Sequence, residues 1–143
     1  MLDFGVRLML TIKLHLDEDC GIDEIDVLGD LIISDNHSTI AVNTTYLDSW
    51  LAELIDAADK LPEEGHVDVA APEEPVPIRL EMGSDNRVRL SYKEQLVVAD
   101  SMNDFRTALK GAAKSLLDSV DNLPRSRENT ILDPIRRYYQ RDL

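Results

Sequence analysis

The chain changes between two apolar periodicities, and it makes that change twice along its length. A period of two, with alternate side chains on opposite faces, is typical of a half-buried strand, whereas a period near 3.6 is typical of an amphipathic helix. Each strand-rich part is followed by one helical stretch and then by a Leu-Pro pair. This order predicts an α+β fold.

The predicted strands fall in two groups. In residues 6–16 every even position is apolar, which predicts one half-buried strand. Residues 27–34 and 39–44 are rich in β-branched side chains and flank a turn-forming Asp-Asn pair, so they predict a hairpin. A second hairpin around a Gly-Ser-Asp-Asn turn and two shorter segments complete a mainly antiparallel sheet of about six strands. These later segments are residues 67–71, 78–82, 88–92 and 96–99.

Two stretches with helical spacing follow the strand groups. The first begins at Thr45 and Asp48, which resemble a capping box with a shorter acid, and Pro62 is expected to end it. The second begins with the same pattern at Ser101 and Asp104. We expect two long amphipathic helices on one face of the sheet, and the repeated order is consistent with a duplicated β-hairpin-helix unit. Their apolar residues are Leu47, Trp50, Leu51, Leu54, Ile55, Ala58 and Leu61, and then Met102, Phe105, Leu109, Ala112, Leu116 and Val120.

The length of 143 residues fits one compact domain. Residues 1–124 are expected to form a single α+β domain. Residues 125–143 differ in charge, since they contain five arginines against three acids. A short helix with Pro134 in its first turn is expected to dock this tail on the acidic body, and a mobile arm for a partner is the alternative.

Net charge disfavours two classes of partner. The chain carries 28 acidic against 15 basic side chains, a net charge of −13. Such a surface repels nucleic-acid phosphates and anionic membranes, because it has no basic footprint to release counterions. No apolar run approaches the roughly 18 residues of a membrane span. A cationic protein is the expected partner, although acidity also serves solubility.

The cysteine content and the N-terminal residues bear on location. Cys20 is the single cysteine, so no intramolecular disulfide can form, and a reducing compartment is favoured. The first residues include Asp3 and Arg7 and lack a small-residue cleavage site, so they do not resemble a signal peptide. A cytoplasmic location is therefore expected.

The sequence contains no recognisable catalytic motif. His15, His37 and His66 lie on separate segments and form no metal-binding spacing. There is no G-x-S-x-G elbow and no phosphate-binding glycine loop. These observations predict a non-enzymatic protein without metal or cofactor. An enzyme built from carboxylates is the least favoured alternative, because sequence does not give the distances between acids.

Acidic side chains gather in a loop after the first predicted strand and on the polar face of the first helix. The acids on the helix continue to its C-terminal end, where they oppose the helix dipole. Both groups are candidate contacts for a cationic partner. The candidate partner-binding residues are Asp17, Glu18, Asp19, Asp23, Glu24 and Asp26 in the loop, and Asp48, Asp56 and Asp59 on the helix.

A basic stripe on the second helix supports another interpretation. Arg106, Lys110 and Lys114 are spaced four residues apart and therefore share one helix face. This stripe could pair with the first helix or with a second subunit. A self-associating structural or accessory protein, such as a homodimer, is thus the main alternative to a protein that binds a cationic partner.

The order of elements resembles that of the small α+β immunity proteins of bacterial polymorphic toxin systems, in particular the WapI type. The resemblance implies a cytoplasmic protein that binds and blocks the toxic domain of a cognate effector and has no chemistry of its own. Acidity fits that role, because many such toxins are nucleases with basic clefts. The matching segments are residues 30–33, 45–51, 78–81, 109–117 and 123–125.

Overall fold

The computed structural model of the protein describes residues 9–17, 27–72, 74–121 and 126–141, which contain seven β-strands and three α-helices. A short 3-10 helix, Ser126–Glu128, precedes the last α-helix. In chain order the elements are β1 (Thr11–Leu16), β2 (Leu28–Ser34), β3 (Thr39–Tyr46), α1 (Leu47–Glu64), β4 (His66–Val69), β5 (Ile78–Met82), β6 (Val88–Tyr92), β7 (Gln95–Ala99), α2 (Met102–Val120) and α3 (Leu132–Gln140).

The strands form two antiparallel sheets, with the orders β1-β2-β3 and β4-β5-β6-β7. Strand β3 lies beside β7. The backbone N–H of Val98 in β7 donates to a carboxylate oxygen of Asp35, 2.8 Å away. The α+β class and the antiparallel pairing are as predicted. The predicted single sheet of about six strands is wrong, because the strands form two sheets. Between β3 and β7 the backbone N–H of Val98 donates to the side chain of Asp35, whereas in a continuous sheet it would donate to a backbone carbonyl of the next strand.

Both predicted hairpins are confirmed. In the first, Ile33 of β2 lies opposite Ile40 of β3, and in the second, Leu80 of β5 lies opposite Leu90 of β6. The two shorter predicted segments are the strands β4 and β7. The first predicted strand begins at Thr11 in the described residues, and its first three positions, 6–8, lie outside them.

Two long helices cover one face of the strands. Helix α1 contacts β2, β4 and β5, and α2 contacts β1 and β7. Trp50 of α1 and Phe105 of α2 are fully buried in the core. Strand residues that point toward the helices, such as Ile12 and Ile33, are buried with them, whereas Lys13 on the opposite face is exposed. The helix-on-sheet core expected from the periodicity is therefore present.

The ends of α1 differ from the prediction. Thr45 does not cap the helix, because its hydroxyl accepts a hydrogen bond from the indole N–H of Trp50 at 2.8 Å. Tyr46 is the N-cap residue and makes no side-chain cap. Pro62 lies inside the last turn, and the helix ends only where Gly65 takes a left-handed conformation with φ of 78°. In α2 the predicted cap is confirmed, since Ser101 accepts the backbone N–H of Asp104.

Helix α3 lies against both long helices. Its apolar positions are spaced three apart, and Leu132, Ile135 and Tyr138 are buried. The hydroxyl of Tyr138 donates to the backbone carbonyl of Arg106 in α2 at 3.3 Å. This packing brings Arg141, the residue that follows α3, next to Asp59 on the outer face of α1.

Candidate protein-interaction surface

The outer face of α1 is a row of acidic side chains. The helix buries one stripe, which includes Trp50 and Leu54, so the positions between those residues point outward. The outward positions from the middle of the helix to its end are almost all acidic, and every one is exposed. We call this surface the acidic face, and it consists of Glu53, Asp56, Asp59, Lys60, Glu63 and Glu64.

The position of the acidic face along α1 is electrostatically unfavourable. The C-terminal end of a helix carries a partial negative charge, and an exposed acid near it typically costs about 0.3–1 kcal/mol. Glu63 and Glu64 lie in the last turn, which contains no basic residue. The side chain of neither glutamate forms an ion pair or a hydrogen bond with a residue in the described ranges.

Two cations among the described residues partly neutralise the acidic face. Lys60 lies 2.9 Å from Asp56, and the hydrogen bond and charge of that carboxylate raise the pKa of Lys60. The charges of Glu64 and Glu53 act in the same direction on Lys60, so this lysine experiences a negative field along the whole face. Five carboxylates thus face one cation of their own helix, and a second cation comes from beyond α3.

That second cation is Arg141. Its two terminal nitrogens lie 3.0 and 3.3 Å from the two carboxylate oxygens of Asp59. This bidentate hydrogen bond and the negative charge of Asp59 raise the pKa of Arg141. The contact is between residues 82 positions apart. The basic composition of residues 125–143 was the sequence signal for it, although the composition did not point to Arg141 itself.

Asp48 does not belong to the acidic face, and its assignment there is wrong. Only 1% of its surface is exposed. Its carboxylate accepts the side-chain amide of Asn129 at 2.8 Å and the backbone N–H of Ser49 at 3.0 Å. Helical periodicity places Asp48 on the polar side of α1, but the segment before α3 covers that part of the helix. Asn129 had no sequence signal, because a lone asparagine in a loop is ordinary.

The acidic loop lies almost wholly outside the described residues. Of its candidates only Asp17 is described, and its backbone N–H donates to the carbonyl of Leu28 at 3.0 Å. The undescribed candidates are Glu18, Asp19, Asp23, Glu24 and Asp26.

The basic stripe of α2 makes contacts within the chain. The ammonium group of Lys110 donates to the backbone carbonyl of Arg141. Lys114 forms an ion pair with Asp118 at 2.6 Å. The backbone carbonyl of Arg106 receives the hydroxyl of Tyr138. Two residues of the stripe, Arg106 and Lys110, therefore contact α3 or the residue that follows it, and Lys114 pairs within α2.

Carboxyl groups with a displaced pKa lie on the strands and turns. Burial alone would raise the pKa of Asp35, but three backbone N–H donors outweigh it and lower the value. Arg79 lowers the pKa of Glu81, and Arg89 does the same for Asp85, in each case chiefly through a side-chain hydrogen bond. All three shifts favour the ionised form, which is the state of a carboxylate that accepts hydrogen bonds.

One groove of about 530 Å³ lies between β1 and α2. Its walls are mainly apolar, and its titratable residues are Lys13 and Asp104. In the part of the chain that the structure describes, no three histidine, cysteine, aspartate or glutamate side chains come together in a way that could hold a metal ion. None of the helices in the described ranges is both long and apolar enough to cross a membrane.

Comparison of the chain with protein-family models, with curated proteins and with solved structures found no match.

Proposed function

We propose that this chain is a non-enzymatic binding protein whose acidic face contacts a cationic partner protein. The observation that carries the proposal is the C-terminal half of α1, where Glu63 and Glu64 are exposed in the last turn and have no ion pair among the described residues. If helix stability were the only requirement, basic residues would be favoured in this last turn. Acids at a helix end that lower stability and form no ion pair of their own favour a role outside the chain.

The charge pattern also supports a particular kind of partner. Complementary charge accelerates association and suppresses wrong partners, and its effect is largest where the charges on one side are not already neutralised. The acidic face has five carboxylates against Lys60 and Arg141. A domain with a basic cleft or ridge would complete the pairing. The acidic loop, residues 17–26, is the second proposed contact.

Within this class, the best candidate function is that of an immunity protein which neutralises a cognate bacterial toxin in the cytoplasm. The support is the resemblance in element order together with the acidity of the binding face, because toxin domains that act on nucleic acid are commonly basic. Self-association through the basic stripe is less well supported, because Lys110 and Lys114 already have partners within the chain.

Co-expression with a toxin tests the immunity function. The toxin domain is taken from a large secreted protein encoded next to the gene for this chain, and the measurement is survival of the host cell. The unaltered chain should restore growth, and the double variant Glu53→Lys/Glu63→Lys should not. The matched control Glu74→Lys/Glu94→Lys makes the same change of net charge outside α1 and should still protect.

Two results would contradict the proposal in different ways. If the unaltered chain protects against none of the toxin domains encoded next to its gene, the proposed immunity function is wrong. Equal protection by both double variants would show that neutralisation does not use the acidic face. Each variant must first show a cooperative melt at least as stable as that of the unaltered chain. Glu53, Glu63 and Glu94 are exposed and Glu74 is half-buried, and surface substitutions usually change stability by less than about 0.5 kcal/mol. A lysine at position 63 should act in the stabilising direction, because it removes an acid from the C-terminal end of α1.

A further inference from the structure

Arg141 connects the three helices at one point. Its guanidinium group makes the bidentate contact with Asp59 of α1. Its backbone carbonyl accepts a hydrogen bond from Lys110 of α2. Its guanidinium carbon lies 5.2 Å from the centroid of the Tyr138 ring in α3, which is within the range of a cation–π contact. The residue that follows α3 is therefore held on the acidic face by contacts of three different kinds.

The contact with Asp59 is open to solvent. Both side chains are 48% exposed, and ion pairs between exposed side chains contribute only about 0–1 kcal/mol. The attachment of α3 itself does not depend on this pair, because Leu132, Ile135 and Tyr138 are buried against the rest of the core. Arg141 can thus leave Asp59 while α3 stays in place.

The contact also has the geometry of recognition between proteins. A guanidinium group that meets both oxygens of one carboxylate is matched in shape as well as in charge, and a lysine cannot reproduce the pair of parallel hydrogen bonds. Asp59 lies in the middle of the acidic face, one turn before Glu63. A partner that covers this face would place one of its own cations where Arg141 now lies.

We propose that Arg141 is a latch which occupies Asp59 in the free protein, and that an arginine of the cationic partner displaces it on binding. This inference rests on the proposed function, because it concerns the same face. It adds that the partner presents an arginine rather than a lysine at Asp59, and that binding at the acidic face releases Arg141 from α1. Because the partner's arginine can reach Asp59 only when the latch is open, the apparent affinity of the chain for the partner falls in proportion to the open fraction.

The test measures binding of a hexa-arginine peptide to the full chain at low salt by calorimetry. Arg141→Gln should bind the peptide roughly 2- to 5-fold more tightly than the unaltered chain, the ratio that corresponds to an exposed ion pair. Arg137→Gln is the matched control, since it removes the same charge from an exposed position of α3 that has no ion pair with a described residue. It should give the smaller gain that net charge alone produces.

A third variant identifies the carboxylate. The double variant Asp59→Asn/Arg141→Gln should bind the peptide no more tightly than Arg137→Gln does. The reason is that the carboxylate which an open latch exposes is absent from this variant. The extra gain should also be larger for hexa-arginine than for hexa-lysine. Both results would support the latch and its preference for a guanidinium group.

The outcomes separate the latch from the proposed function. Equal gains for Arg141→Gln and Arg137→Gln would overturn the latch, as would a gain that persists without Asp59, and neither result bears on toxin neutralisation. A peptide that binds none of these proteins would overturn the latch as well. If the Glu53→Lys/Glu63→Lys variant protects against the toxin as well as the unaltered chain does, the proposed use of the acidic face fails instead.

Discussion

Asn129 donates its side-chain amide to the carboxylate of Asp48 across 2.8 Å, although the two residues lie 81 positions apart. Both are buried, with 4% and 1% of their surface exposed. The side-chain carbonyl oxygen of the same asparagine accepts a hydrogen bond from the backbone N–H of Ile131 at 3.0 Å. One buried side chain thus joins the start of α1 to the segment that leads into α3.

Replacement of Asn129 should therefore destabilise the fold. In Asn129→Ala the buried carboxylate of Asp48 loses a donor, and a hydrogen bond to a charged group contributes about 1.5–3 kcal/mol. The exposed Asn103→Ala on α2 is the control and should change the free energy of unfolding by less than about 0.5 kcal/mol. Urea denaturation measures both. Equal values for the two variants would show that the buried contact contributes little.

Substitution by alanine should have opposite effects on stability at Gly29 and at Gly111. A Cβ at Gly29 would lie 2.1 Å from the backbone oxygen of His15 and 2.8 Å from a methyl carbon of Leu47. Gly29→Ala should cost more than about 2 kcal/mol, since backbone cannot move aside cheaply. A Cβ at Gly111 would meet nothing within 4 Å. Gly111→Ala should stabilise α2 by about 0.5–1 kcal/mol. Thermal melts of the pair test both signs, and two shifts in the same direction would contradict the packing described for Gly29 or Gly111.

The hairpins and the cores of both long helices were predictable from sequence because their information is local. Alternating residues in β5 and β6, and helical spacing around Trp50 and Phe105, determine which side of each element is apolar. The cap at Ser101 is equally local, since its partner is only three residues away. The division into two sheets concerns residues far apart in the chain, such as Asp35 and Val98, 63 positions apart, and no periodicity reports the contact between them.

The candidate surface was predictable only in part for the same reason. Asp56 and Asp59 are exposed where helical spacing places them. Asp48 has the same spacing but is covered by a distant segment, and a helical pattern cannot reveal what packs over it. The docking of Arg141 on Asp59 depends on the path of the chain after α2, which the sequence indicated only through an excess of arginine.

The buried aromatic residues give a test of the helix-on-sheet core. Trp50 and Phe105 are completely buried, so truncation of either to alanine should cost about 3–5 kcal/mol. Leu96, which is 47% exposed on β7, serves as the control, and Leu96→Ala should have a small effect. Chemical denaturation measures all three. A midpoint that is unchanged in both aromatic variants would contradict the core.

Asp35 should make stability depend on pH. Burial raises its pKa, but the N–H groups of Val98, His37 and Ser38 lower it further, and the net shift is downward. A carboxyl whose pKa is lower in the folded state stabilises the protein above its unfolded pKa, near 3.9, and that contribution is lost as the pH falls through the folded value. Asp35→Asn should therefore be less stable than the unaltered chain at pH 7, by about 1–3 kcal/mol.

The difference between Asp35→Asn and the unaltered chain should shrink steadily as the pH falls below about 4. Asp68→Asn, at an exposed position of β4, is the control and should show a small effect at neutral pH. Unfolding free energies at several pH values provide the measurement. A difference for Asp35→Asn that grows toward acid would contradict the downward shift.

The association rate constant between this chain and its cationic partner, measured by stopped-flow at two salt concentrations, tests electrostatic recognition most directly. Steering by the acidic face fades as the Debye length falls from about 10 Å at 0.1 M salt to about 3 Å at 1 M. Association should therefore slow strongly with salt while dissociation changes little, and Glu53→Lys/Glu63→Lys should associate slowly even at 0.1 M salt. If the unaltered chain and the variant associate equally fast at both concentrations, the acidic face does not recognise the partner and its charge serves only solubility.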